Sequence, residues 1–179
     1  MFDFTGWPER KKLETFEFDL STGSCGDIKL GGHIDALKPW GRPIFSAIGC
    51  SLDYRESGIM VKLVDLNEPY IASFLCYLRP VVFAPKPDFN VCPLQLKVPE
   101  KSKPVQIKPG SGKPALHALL GVAPVIGGNP AHGMCLGFKF PGAWVNFDYG
   151  DKNDFNFLTI TRDIGFYVNR SQWPGLEKK

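Results

Sequence analysis

Leu52, Tyr54, Arg55, Gly58, Val61 and Leu63, within the stretch Ser51-Leu-Asp-Tyr-Arg-Glu-Ser-Gly-Ile-Met-Val-Lys-Leu63, are matched in order by Leu136, Phe138, Lys139, Gly142, Val145 and Phe147 at a constant offset of 84 positions. On either side of the shared glycine the apolar residues recur at every second position, the period of a strand with one buried face. Each copy therefore reads as two strands joined by a turn. A second block, Ile28-Lys29-Leu30-Gly31 followed by Ala36-Leu37, returns as Ile107-Lys108-Pro109-Gly110 followed by Ala115-Leu116, at an offset of 79. Two blocks repeated in the same order indicate a duplicated chain.

Working outward, residues 14–20 alternate so that Phe16, Phe18 and Leu20 share one face of a half-buried strand. Residues 32–38 are the helix expected in the first half, ended by Pro39, Gly41 and Pro43. Further strands are expected at 51–55, 58–64 and 70–78. Six prolines between positions 80 and 104 mark a linker with one strand at 94–98. The second half repeats the plan, with a helix at 114–120 that opens on Pro114 and strands at 135–140, 143–149 and 155–161. Ile164, Phe166 and Val168 alternate once more. The expected fold class is α+β, two tandem repeats, each a short helix packed on an antiparallel sheet. Its divisions are an extension at 1–13, a first repeat at 14–79, the linker at 80–104, a second repeat at 105–170 and a tail at 171–179.

With 44% hydrophobic and 22% charged residues over 179 positions, the chain has the material for a packed interior and is not of disordered composition. The 21 basic and 18 acidic residues are interspersed, without the clustered basic stripe of a nucleic-acid binder. The five cysteines, Cys25, Cys50, Cys76, Cys92 and Cys135, are odd in number and contain no Cys-x-x-Cys pair, which favours reduced thiols over a disulfide framework or a zinc site. The first residues lack the pattern of a signal peptide, and no apolar run approaches the ~20 residues of a membrane span. The expectation is a soluble cytoplasmic protein that contacts neither nucleic acid nor membrane.

Catalytic and cofactor patterns are weak throughout, and none is expected to operate. Residues 109–114 hold a Gly-Lys pair, but Pro114 stands where a phosphate-binding loop needs Ser or Thr. Cys135 with His132 or His117 is a conceivable nucleophile and base, yet Cys135 aligns with Ser51 at a strand start and reads as a small buried residue. His33, His117 and His132 share no face suited to a metal. Asp148, Asp151 and Asp154 lie in a Gly- and Asn-rich stretch that reads as a hairpin turn.

The informative surplus is aromatic. If Val145 and Phe147 point to the core, Trp144 and Asn146 point away, with Phe155, Phe157 and Thr159 beside them on the next strand. The matching first-repeat positions are Met60, Lys62, Ile71, Ser73 and Leu75. A sheet face of this kind meets either another layer or a partner. The candidate partner-binding set is Trp144, Asn146, Phe155, Phe157, Met60 and Lys62.

Ile28-x-x-Gly31, followed by a short helix that stops at Trp40-Gly41-Arg-Pro43 and then by antiparallel strands, resembles the repeat of the beta-lactamase inhibitory protein and of the small outer-membrane assembly lipoproteins. The resemblance spans most of residues 14–168. It departs where that family has Met-Thr after the glycine, since this chain has Gly32-His33 and Ser111-Gly112. It implies a non-enzymatic protein-binding module, in concrete form a bacterial immunity or inhibitor protein that neutralises a toxin or enzyme. The alternative is a structural or assembly factor that forms a homodimer through its sheet face.

Overall fold

The computed structural model describes residues 2–47, 50–64, 69–82, 87–109, 111, 113–127, 134–149 and 155–162. The first half carries β1 (Phe16–Asp19), β2 (Ser24–Cys25), β3 (Ile28–Lys29), β4 (Ile44–Ser46), β5 (Ser51–Tyr54), β6 (Ile59–Leu63) and β7 (Ile71–Tyr77). The proline-rich segment holds β8 (Val81–Val82), β9 (Pro87–Phe89) and β10 (Leu94–Lys97). Then follow α1 (Lys113–Leu120), β11 (Ile126–Gly127), β12 (Met134–Lys139), β13 (Trp144–Tyr149) and β14 (Phe155–Thr161).

A large sheet of eight strands runs β11-β12-β13-β14-β7-β6-β5-β4 with every neighbouring pair antiparallel. The offset of 84 carries Ile71 and Tyr77, the ends of β7, onto Phe155 and Thr161, the ends of β14. Strand order is therefore the same read inward from either edge, and the two halves meet at the β7–β14 ladder, where Phe157 opposes Tyr77 and Thr161 opposes Ser73. A smaller sheet, β10-β1-β2-β3, pairs β1 in parallel with β10 of the proline-rich segment.

The small sheet covers one face of the large one. Phe16 and Phe18 of β1 each lie 5.6 Å from the ring of Phe74 at the middle of the large sheet, and Trp40 lies 5.6 Å from Phe16 and 5.2 Å from Tyr54. Leu52, Val61, Leu136, Phe138, Val145, Phe147, Leu158 and Ile160 complete a single buried core. The leading residues join it: Trp7 is buried, and the Lys11 amide donates to the Trp40 carbonyl at 3.0 Å.

The α+β expectation is overturned. The protein is mostly β, and its halves share one sheet and one core instead of each packing a helix on a sheet of its own. The expected helix at 32–38 is a three-ten helix, Ile34–Trp40. Its buried residues are Ile34, Leu37 and Trp40, a spacing of three that suits three residues per turn better than 3.6. Pro39 inside it also removes an amide that an α-helix would use. In the second half α1 forms as an α-helix of eight residues and buries Leu116 and Leu120. The alternation at 164–168 lies outside the described residues.

Because Phe74 is fully buried against three aromatic rings, Phe74→Ala is expected to cost about 3–5 kcal/mol. That corresponds to a melting temperature lower by on the order of 10 °C for a chain of this size. Urea denaturation with unchanged m would confirm it; a loss under about 1 kcal/mol would show that the two sheets do not share this core.

Candidate functional site

Strand alternation that turns Val61, Phe74, Val145 and Ile160 inward leaves a second face on the large sheet, uncovered by the small one. Cross-strand register arranges it in rows. One row runs Ser51, Lys62, Ser73, Thr161, Trp144, Lys139. The next runs Asp53, Met60, Leu75, Thr159, Asn146, Gly137. Beyond them Phe157 opposes Tyr77, their rings 5.9 Å apart. Met60, Lys62, Leu75, Tyr77, Trp144 and Phe157 are half-buried, whereas the short side chains between them, Ser73, Asn146, Thr159 and Thr161, are buried.

Five of the six residues singled out in the sequence, Met60, Lys62, Trp144, Asn146 and Phe157, thus lie on one face. The backbone of Phe155 pairs with Tyr149 past a register shift, and its side chain lies outside the described residues. Ile71 does not join them. A register shift makes Leu63 oppose Ile71 directly after Lys62 opposes Ser73, and this bulge sends Ile71 into the core. The proline-rich segment covers one end of the face, where the Phe89 ring lies 4.5 Å from Tyr77.

Most polar groups of the face have partners. Asp53 accepts a hydrogen bond from the Ser51 hydroxyl at 2.9 Å and lies 3.7 Å from the Arg55 guanidinium. The Thr161 hydroxyl donates to the Ala72 carbonyl at 3.4 Å. Asn146 is the exception: it is 3% exposed, and neither its Oδ1 nor its Nδ2 has a hydrogen-bond partner. A buried amide left in this state costs about 1–3 kcal/mol. One donor and one acceptor side by side match the two groups that a peptide unit offers.

At the Trp144 end the face runs into a cavity of about 440 Å³, formed where the β1–β2 turn meets the β12–β13 turn. The two turns touch through their glycines: a Cβ on Gly142 would fall on the Gly23 amide and one on Gly23 on the Gly142 carbonyl. Gly23 also has φ 70, where side chains are strained. The Gly142 amide donates to the Leu20 carbonyl at 3.0 Å, fastening the turns together. Lys29, Lys139 and Arg162 line the cavity with no carboxylate among the described lining residues, and the Lys139 ammonium sits 5.5 Å above the Trp144 ring. This cationic corner was not legible in the sequence, because its three charges come from β3, β12 and the end of β14.

The other candidates do not assemble a site. Cys25, Cys50, Cys76 and Cys92 are free thiols. Burial foremost, then Cys76 and Glu17, pushes the Cys25 pKa up to about 11, so it is no thiolate nucleophile at neutral pH. Burial and a hydrogen bond with Cys92 likewise push Cys76 up. His33 caps the three-ten helix, its Nδ1 accepting from the Asp35 amide at 3.2 Å, and His117 is exposed on α1. Among the described residues no group of three His, Cys, Asp or Glu could hold a metal ion. The side chains of Cys135 and Asp148, and all of His132, Asp151 and Asp154, lie outside the described residues. Among the described residues no helix is long and apolar enough to cross a membrane. In comparisons with family models, curated proteins and solved structures, the chain has no match in any of the three.

Gly142 is absent from the residues at positive φ, so Gly142→Ala tests the contact between the turns without straining the backbone. It is expected to destabilise by about 1–3 kcal/mol, the range for overpacking. A thermal melt equal to the parent's would mean that the turns are not held together at this point.

Proposed function

We propose that this is a non-enzymatic binding protein whose large sheet presents to another protein the face that the small sheet does not cover. The carrying observation is Asn146, a buried amide with both polar atoms unpaired, between Thr159 and Gly137 on the face that carries Trp144 and Phe157. A surface that only had to be stable would place an apolar residue there, since removing such a group can be neutral or stabilising. A partner main-chain amide that pairs with Asn146 once the side chains burying it move aside, while its own side chains seat against Trp144 and Phe157, repays the cost on binding. Half-buried aromatic rings are the usual anchors of such interfaces. Bacterial immunity or inhibitor proteins act in this manner, neutralising a toxin or enzyme, and the resemblance to the beta-lactamase inhibitory protein repeat is in keeping with it. The compartment that goes with free Cys25, Cys50, Cys76 and Cys92 is a reducing cytoplasm.

The second reading, a homodimer formed through the same face, rests on that face being self-complementary in its pairing of apolar side chains with an unpaired amide. Sedimentation of the isolated protein separates the two. A monomer supports a foreign partner, and a dimer dissolved by Trp144→Ala assigns the face to self-association.

Asn146→Val should raise the stability of the free protein by about 1 kcal/mol, some 2–4 °C in melting temperature, while lowering partner or self-association affinity. Trp144→Ala should leave the melting temperature nearly unchanged and weaken association about tenfold or more. A loss of 3–5 kcal/mol in Trp144→Ala would place that ring in the core, and a lower melting temperature in Asn146→Val would show that its amide is paired in the free protein. Either result retires the interface.

A further inference from the structure

We infer that the cavity between the two glycine turns is an anion site for a small phosphate-bearing molecule. Lys29 of β3, Lys139 of β12 and Arg162 just after β14 reach it, and no described lining residue is a carboxylate. Asp19, at the base of the β1–β2 turn, accepts from the Ser21 amide at 2.8 Å and pairs with Lys97 at 3.3 Å. Glu100 lines a second cavity of about 390 Å³ that shares Lys139, Phe140 and Pro141 with this one. Three like charges around one concavity raise the local potential, and a ligand of two or more negative charges relieves it best.

Two of the three cations are also placed by contacts. Lys139 is held over the Trp144 ring at 5.5 Å. Arg162 packs on Gly31, where an added Cβ would lie 3.0 Å from a guanidinium nitrogen. The floor is fixed by the Gly23–Gly142 approach, and the turn amides of Ser21 and Thr22 are already bound to Asp19, so recognition falls to the three side chains. A planar guanidinium beside two ammonium groups favours phosphate, which accepts from both kinds of donor at once, over a lone carboxylate. A volume of about 440 Å³ lies within the usual size of small-molecule sites.

The site adjoins the sheet face at Trp144 and Lys139, whereas Lys29 and Arg162, the two residues its test changes, stand outside that face.

Titration calorimetry of the full chain at low salt would use pyrophosphate, inorganic phosphate, a sugar monophosphate, sulfate and a hexaglutamate peptide as probes. Saturable one-to-one binding of pyrophosphate or of the sugar phosphate is expected, with the tighter of the two telling whether the ligand is inorganic or an ester. Lys29→Gln and Arg162→Gln should each weaken it about tenfold, Lys12→Gln should not, and added salt should weaken it throughout. Exposed Lys29 and Arg162 carry no core packing, so the variants should melt with the parent. Absence of saturable binding overturns the site. So does sulfate binding as tightly as pyrophosphate at matched ionic strength, or a loss in Lys12→Gln equal to that in Lys29→Gln. Tighter binding of hexaglutamate than of every phosphate probe also overturns it, giving the cavity to an acidic protein segment.

Discussion

The antiparallel ladder between β7 and β14 is the contact on which the rest of the molecule depends. It joins the last strand of each half, so neither half has a free inner edge, and an unpaired edge of main-chain donors and acceptors is the usual liability of a four-stranded sheet. Through this ladder Phe74 and Ile160 become neighbours on one face and Leu75 and Thr159 on the other. The first face supplies the floor that β1 covers with Phe16 and Phe18. The second is a surface eight strands wide that neither half could make alone.

The two faces solve different problems. Large apolar side chains fill the inner one, where the buried Tyr54 hydroxyl donates to the Gly41 carbonyl at 3.3 Å. The outer one alternates large half-buried residues with buried small polar ones, and register puts Asn146 between Thr159 and Gly137. Asp53 and Thr161 find partners within the protein, because a serine hydroxyl and a bulged strand's carbonyl lie within reach. Asn146 faces a glycine on one side, which offers no side chain to pair with. Its unpaired amide is a local conflict in an otherwise consistent sheet, the kind of departure that functional surfaces retain at a cost in stability.

At the end of that face the two sheets are pinned by a contact with no side chains in it. Gly23 and Gly142 bring two turns to backbone distance, and the space flanking them becomes a cavity rather than packed interior. The same contact holds Leu20 and Ala143 against the core.

Period-two alternation and the repeated glycines were enough to locate β5, β6, β7, β12, β13 and β14 to within about a residue, because one buried face dictates that pattern locally. The same alternation placed Trp144, Asn146, Phe157, Met60 and Lys62 on a common side. It misplaced Ile71, since a bulge is a property of two paired strands and leaves no mark in either alone. It promised an α-helix at 32–38, where apolar residues three apart and Pro39 settled on a three-ten helix once they met the core. Repetition suggested two modules; the pairing of β7 with β14 made one sheet, and that choice depends on which edges meet in space. Asn146's missing partner and the convergence of Lys29, Lys139 and Arg162 were likewise decided by tertiary structure, because they are relations between residues far apart in the chain, whereas local sequence fixes only the period, the turn and the side on which each residue lies.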